Sequence, residues 1–129
     1  MKEVTMRLKT GDDLRDGIEV LLKDNDVKAG CLLSVVGSLS KAKLRMPGGK
    51  IVRDWSEELE IVGGTGTLSI NGSHIHISVS DKDGKVFGGH LVKDCMVRTT
   101  VEIVILILSG TEYVRVFDER TGFAELEVK

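Results

Sequence analysis

Three histidines, His74, His76 and His90, are the only ones in the chain and fall close together in it. Neutral imidazole nitrogens are common ligands for zinc and related divalent ions, so their clustering is the first chemical signal. In Ser73-His74-Ile75-His76-Ile77-Ser78-Val79-Ser80 polar and apolar residues alternate strictly. A strand built on that pattern sends Ile75, Ile77 and Val79 to one face and both histidines to the other. Residues two apart on one strand face are roughly 6.5 to 7 Å apart, a spacing from which two imidazoles converge on one ion. Asp81-Lys82-Asp83-Gly84 then reads as a turn, and Lys85-Val86-Phe87-Gly88-Gly89-His90 as a segment running back beside the strand, with Gly88 and Gly89 allowing close backbone approach. Three protein nitrogens without a fourth describe an open site, completed by water or a small ligand, better than a closed structural one. The plainer alternative is an ordinary polar strand face.

Glu102 interrupts the apolar run from Val101 to Leu108. A carboxylate among aliphatic residues costs free energy unless it is paired, which makes Glu102 the candidate catalytic residue, supporting a metal ligand or moving protons. Its alternative place is the solvent-facing start of a strand. Arg45 is either a contact for an anionic substrate or a surface arginine. Gly63-Gly64-Thr65-Gly66 lacks the pattern of a phosphate loop and is expected to be a turn. Cys31 and Cys95 stand outside any C-x-x-C spacing and are expected to be two buried thiols.

Elements that would position these groups follow from periodicity. Val4, Met6 and Leu8 alternate as an opening strand, and Thr10-Gly11-Asp12-Asp13 offers capping chemistry for a helix with Leu14, Ile18, Leu21 and Leu22 on one face. Arg15, Asp16, Glu19 and Lys23 are left to water, and Asn25 and Asp26 end the helix. Strands are predicted over Cys31–Leu39, Ala42–Met46, Ile51–Trp55, Leu59–Val62, Gly66–Ile70, His74–Ser80, Val97–Leu108, Tyr113–Phe117 and Ala124–Val128. Pro47-Gly48-Gly49 reads as a hairpin loop, and Val86–Met96 as an irregular stretch with room for a short helical segment.

The chain has 129 residues, 41% of them hydrophobic and only 4% aromatic. Those values suit one domain spanning residues 1–129, with an aliphatic, sheet-rich core. The expected class is an α/β domain of the α+β type, a largely antiparallel sheet or barrel-like core with few flanking helices. A net charge of −2 supplies no field to draw in nucleic acid or an anionic membrane. Met1–Leu8 lacks the apolar stretch of a signal peptide, and no apolar run approaches a bilayer span, so a cytoplasmic location is expected.

The segments Gly72-Ser73-His74-Ile75-His76-Ile77-Ser78-Val79-Ser80-Asp81 and Gly84-Lys85-Val86-Phe87-Gly88-Gly89-His90-Leu91 resemble the plant and prokaryote conserved (PPC) domain. Weaker likeness runs through Gly30–Ser34, Gly37–Ser40, Glu60–Val62, Gly66–Ser69 and Thr100–Val104. The resemblance implies a compact antiparallel fold, a homotrimer, and a divalent metal, zinc foremost, on His74, His76 and His90. It also implies a fold similar to acetolactate decarboxylase, a three-histidine zinc enzyme, and carries a DNA-binding label. Plant members join the domain to an Arg-Gly-Arg-Pro arm, whereas the only proline here is Pro47. Their Gly-Arg-Phe-Glu-Ile-Leu segment appears as Glu57-Glu58-Leu59-Glu60-Ile61-Val62, whose extra carboxylates repel phosphate. Two function classes follow: a metal-dependent enzyme for a small oxygenated substrate, and a non-enzymatic interaction or regulatory module, DNA binding included.

Overall fold

The computed structural model describes residues 1–129. The chain runs β1 (Lys2–Lys9), α1 (Leu14–Asp24), β2 (Ala29–Arg45), β3 (Val52–Trp55), β4 (Leu59–Ser69), β5 (Gly72–Ser80), β6 (Val86–Leu91), β7 (Met96–Ile107), β8 (Tyr113–Asp118) and β9 (Phe123–Val128). Helix α1 begins where the capping chemistry places it, with the Asp13 carboxylate accepting from the Asp16 backbone N–H at 3.0 Å. Its apolar face, Leu14, Ile18, Leu21 and Leu22, is buried, and the Asn25 side chain donates to the Leu21 carbonyl at 2.8 Å as the helix ends. No helix is long and apolar enough to cross a membrane.

One antiparallel sheet, in the order β1-β7-β2-β4-β5-β6 with β3 also on β2, carries the core; β8 and β9 form a separate two-stranded sheet. The sheet curls until β6 reaches the far end of β2, where Leu91 faces Leu44 and His90 faces Arg45. It is a curled sheet rather than a closed barrel, since β1 pairs only with β7 and β3 only with β2. Inward residues of every long strand, among them Leu39, Leu44, Leu68, Ile75, Val79, Leu91, Val101 and Ile103, are fully buried in one cluster with the helix. The low aromatic content is thus matched by an aliphatic core.

Three sequence expectations are corrected. Cys31–Leu39 and Ala42–Met46 belong to one strand, β2, whose register against β7 shifts at Leu32/Ser34, Gly37/Leu39 and Leu39/Lys41. Such bulges break the period of two without ending the strand. Gly63-Gly64-Thr65-Gly66 is not a turn but lies inside β4, joining the predicted Leu59–Val62 and Gly66–Ile70. A Cβ on Gly64 would lie 2.4 Å from Val35 Cγ1, and one on Gly66 2.8 Å from the His74 carbonyl oxygen, so glycine here admits a neighbour's close approach. The Val86–Met96 stretch contains no helix; its first half is β6, paired with β5 from Val86 to His90.

Candidate metal centre

Strand β5 realises the alternation read from the sequence: Ile75, Ile77 and Val79 are buried, and His74 and His76 face outward. The Asp81–Lys85 turn is closed by the Asp81 carboxylate, which accepts from the Asp83 and Lys85 backbone N–H groups at 2.9 Å each. It returns the chain as β6 and sets His90 directly opposite His76. Close packing of β6 depends on its two glycines. A Cβ on Gly88 would meet the Ile77 carbonyl oxygen at 2.5 Å, and one on Gly89 the Arg45 carbonyl oxygen at 2.7 Å.

The three rings converge. Their centroids lie 4.8 Å (His74–His76), 5.5 Å (His74–His90) and 5.7 Å (His76–His90) apart. One nitrogen from each lies within 4.8 Å of the others, and the Nε2 atoms of His74 and His76 are 3.0 Å apart. Ligands at zinc distance in a tetrahedral site stand about 3.3 Å from each other, so this pair already has ligand spacing. The Nδ1 of His90 is buried without a hydrogen-bond partner. The three nitrogens are thus placed where one metal ion could be held.

Electrostatics keep His74 and His90 ready to donate lone pairs. Burial first, then the charges of Arg45 and Arg15, pushes His90 down to about 4. His74 is also lowered, by burial, His76 and Arg115, with Glu125 opposing. Arg15, assigned to water by its place on the helix, is in fact mostly buried, at 14% side-chain exposure. It donates to the Leu91 and Ser73 carbonyls at 3.0 Å each, tying α1 to the strand ends that carry the histidines. Arg45 stands opposite His90.

Glu102 is exposed on β7, in register with Arg7 and Val36. Strands β2 and β4 stand between it and β5, and it does not join the cluster within one chain. Arg115 and Glu125 are each one charge in an alternating strand, and nothing local in the sequence distinguishes them. Cys95 is fully buried and Cys31 only half-buried, both as free thiols, which corrects the expectation of two buried ones. A cleft of about 550 Å³ between α1 and the β4–β5 turn, bordered by Glu19, Lys23 and Asn71, contains none of the three histidines.

The profile of the Plants and Prokaryotes Conserved (PCC) domain matches residues 1–109. The bifunctional protein GlmU of Synechococcus sp. (strain JA-2-3B'a(2-13)) is 38% identical over all 129 residues, which make up 20% of that protein, so the chain spans about a fifth of the length of the curated relatives it matches. A hypothetical protein from Salmonella is 30% identical with a TM-score of 0.95, covering 99% of this chain and 93% of that one. A structure described as a metal-containing protein, from Archaeoglobus fulgidus, is 31% identical with a TM-score of 0.86, covering 98% and 94%.

Proposed function

The chain belongs to the Plants and Prokaryotes Conserved (PCC) domain family, and from that premise we propose that His74, His76 and His90 hold one divalent ion, zinc foremost, in a site open to a small oxygenated ligand. The observation that carries the reading is the convergence of three imidazole nitrogens, two of them already 3.0 Å apart. Support comes also from the lowered His74 and His90, which leaves both rings neutral at pH 7, and from the Archaeoglobus neighbour described as metal-containing. An ion bound there supplies Lewis-acid polarisation of a ligand oxygen. The chain's own groups orient that ligand: Arg45 stands beside His90, and Thr65 and Thr67 stand opposite His76 and His74.

Elemental analysis of protein purified without chelator tests the reading, with calorimetric titration of the apoprotein by zinc. Up to one ion per chain is expected; zinc binding no tighter than at scattered surface histidines refutes it.

A homotrimer is part of the same proposal. Leu33, Val36 and Val62 are exposed to 53%, 49% and 55% on β2 and β4, an apolar area that self-association would cover. Light scattering at micromolar concentration should report three chains, and a monomer would overturn it. Were a trimer to bring a neighbouring chain's histidines to Glu102, which is adjacent to Val36, the carboxylate would support their metal. Glu102→Gln should then weaken metal affinity or activity about 10-fold to 100-fold with folding intact. Unchanged affinity and activity would make it a surface carboxylate. Against duplex DNA, anisotropy at low salt should show no binding; a steeply salt-dependent affinity would favour a nucleic-acid role instead.

A further inference from the structure

Two guanidinium groups flank the histidine cluster with no carboxylate partner of their own. Arg45 and Arg115 are both half-buried, and neither belongs to an ion pair, whereas Arg15 is fully engaged by Glu19 and two carbonyls. Arg45 approaches from the His90 side, its guanidinium carbon 5.7 Å from the centroid of the Phe123 ring. Arg115 approaches from the His74 side, where its Nη2 donates to Thr67 Oγ1 at 2.7 Å, Thr67 being the residue opposite His74.

Both are placed by the β8–β9 hairpin. At one end its Arg115 backbone exchanges hydrogen bonds of 2.7 and 2.9 Å with the Asn71 side chain. At the other, Phe123 packs on Arg45 and against Gly49, in the loop between β2 and β3. The hairpin thus bridges from the β4–β5 turn to the β2–β3 turn, and the histidines lie between these anchors. The hairpin lies wholly beyond residues 1–109, which the family profile matches.

We infer that Arg45 and Arg115, held by this hairpin, form an oxyanion-recognition pair beside the histidine cluster, so that the small ligand taken there carries a carboxylate or phosphate group. The inference rests on the metal reading above and narrows its ligand. Two guanidinium charges and a divalent cation leave an excess of positive charge that Glu125, the carboxylate acting on His74, offsets only in part. An anionic ligand completes the balance, and the planar fork of arginine suits the paired oxygens of carboxylate and phosphate.

The test uses the cobalt-substituted 129-residue chain, whose visible spectrum responds to ligands at the metal, titrated with sodium acetate, inorganic phosphate and neutral imidazole. Wild type should bind acetate or phosphate, the tighter of the two naming the oxyanion class. Arg45→Gln and Arg115→Gln should each lose about 10-fold to 100-fold in oxyanion affinity, with imidazole affinity changed less than about twofold. Arg45→Lys, which keeps the charge and loses the fork, should fall between. Equal oxyanion affinity in wild type and both glutamine variants overturns the pair, and so does a parallel loss of imidazole binding. Failure to take up cobalt or zinc removes the metal reading alone. The same oxyanion titrations are then read by calorimetry on the apoprotein, where no difference between wild type and Arg45→Gln overturns the inference.

Discussion

Replacing Gly89 by alanine asks whether the site depends on how closely β6 lies against β2. The added Cβ would stand 2.7 Å from the Arg45 carbonyl oxygen, 2.9 Å from Met46 Cε and 3.2 Å from Leu44 Cβ. The methionine tip can swing aside, but the carbonyl is the backbone of the strand with which β6 pairs. Reaching ordinary contact therefore requires β6 to retreat by roughly 0.7 Å, on the 2.7 Å starting distance. Overpacking of this kind costs about 1–3 kcal/mol, and the reduced freedom of alanine in the unfolded chain returns about 0.5–1 kcal/mol. A net loss of about 1–2 kcal/mol is expected. His90 is the next residue and moves with the strand, out of its place opposite His76; a 1 Å misplacement costs on the order of 100-fold in a preorganised site, so zinc affinity should fall by about 10-fold or more. Urea denaturation followed by circular dichroism gives the first quantity, and calorimetric zinc titration the second. Gly84→Ala is the control. Gly84 has φ +79° with open space around its Cβ position, so alanine there costs about 1–2 kcal/mol of backbone strain and leaves zinc affinity unchanged. If Gly89→Ala binds zinc as tightly as Gly84→Ala does, the β6–β2 approach does not position His90 and the argument fails.

His76→Ala should cost zinc affinity on the order of 100-fold or more, because removing a ligand exceeds the loss from removing a group behind one. Its outward side chain makes the expected change in urea midpoint small, and an unchanged affinity in calorimetry would dismiss the cluster as a metal site. Stability of the apoprotein should fall as pH drops from about 6.5 through about 4: with His90 held at about 4 and His74 also lowered, the unfolded chain binds more protons across that window. Urea midpoints from pH 8 to 4 check this, and a His90→Asn variant with an equally steep decline would refute it. The Cys95 thiol, pushed up to about 11 by burial and enclosed by the Lys43 backbone, should resist alkylation in the native protein. Mass spectrometry at pH 8 should find Cys31 modified first, and equal labelling would show the structure opening at β2.

By itself the sequence determined whatever depends on neighbours along the chain. Period-two alternation put His74 and His76 on one face of β5, and a period of 3.6 after the capping stretch Thr10–Asp13 defined α1. Turn chemistry placed the reversals at Pro47–Gly49 and Asp81–Gly84, and with the second of these came the return of His90. Only the tertiary structure decided that β2 continues through its bulges, that the Gly63–Gly66 run is strand, and that Val86–His90 pairs with β5. In each case a partner strand supplies hydrogen bonds and close contacts that no local pattern encodes. The charges around the site were decided there too. Arg15 is a buried clamp because the strand ends bearing Ser73 and Leu91 come to the helix, Arg45 meets His90 because β6 pairs with the end of β2, and Arg115 and Glu125 come near His74 on the distant β8–β9 hairpin. Periodicity assigns a residue to a face; which charges share that face is settled by register and by the packing of segments far apart in the chain.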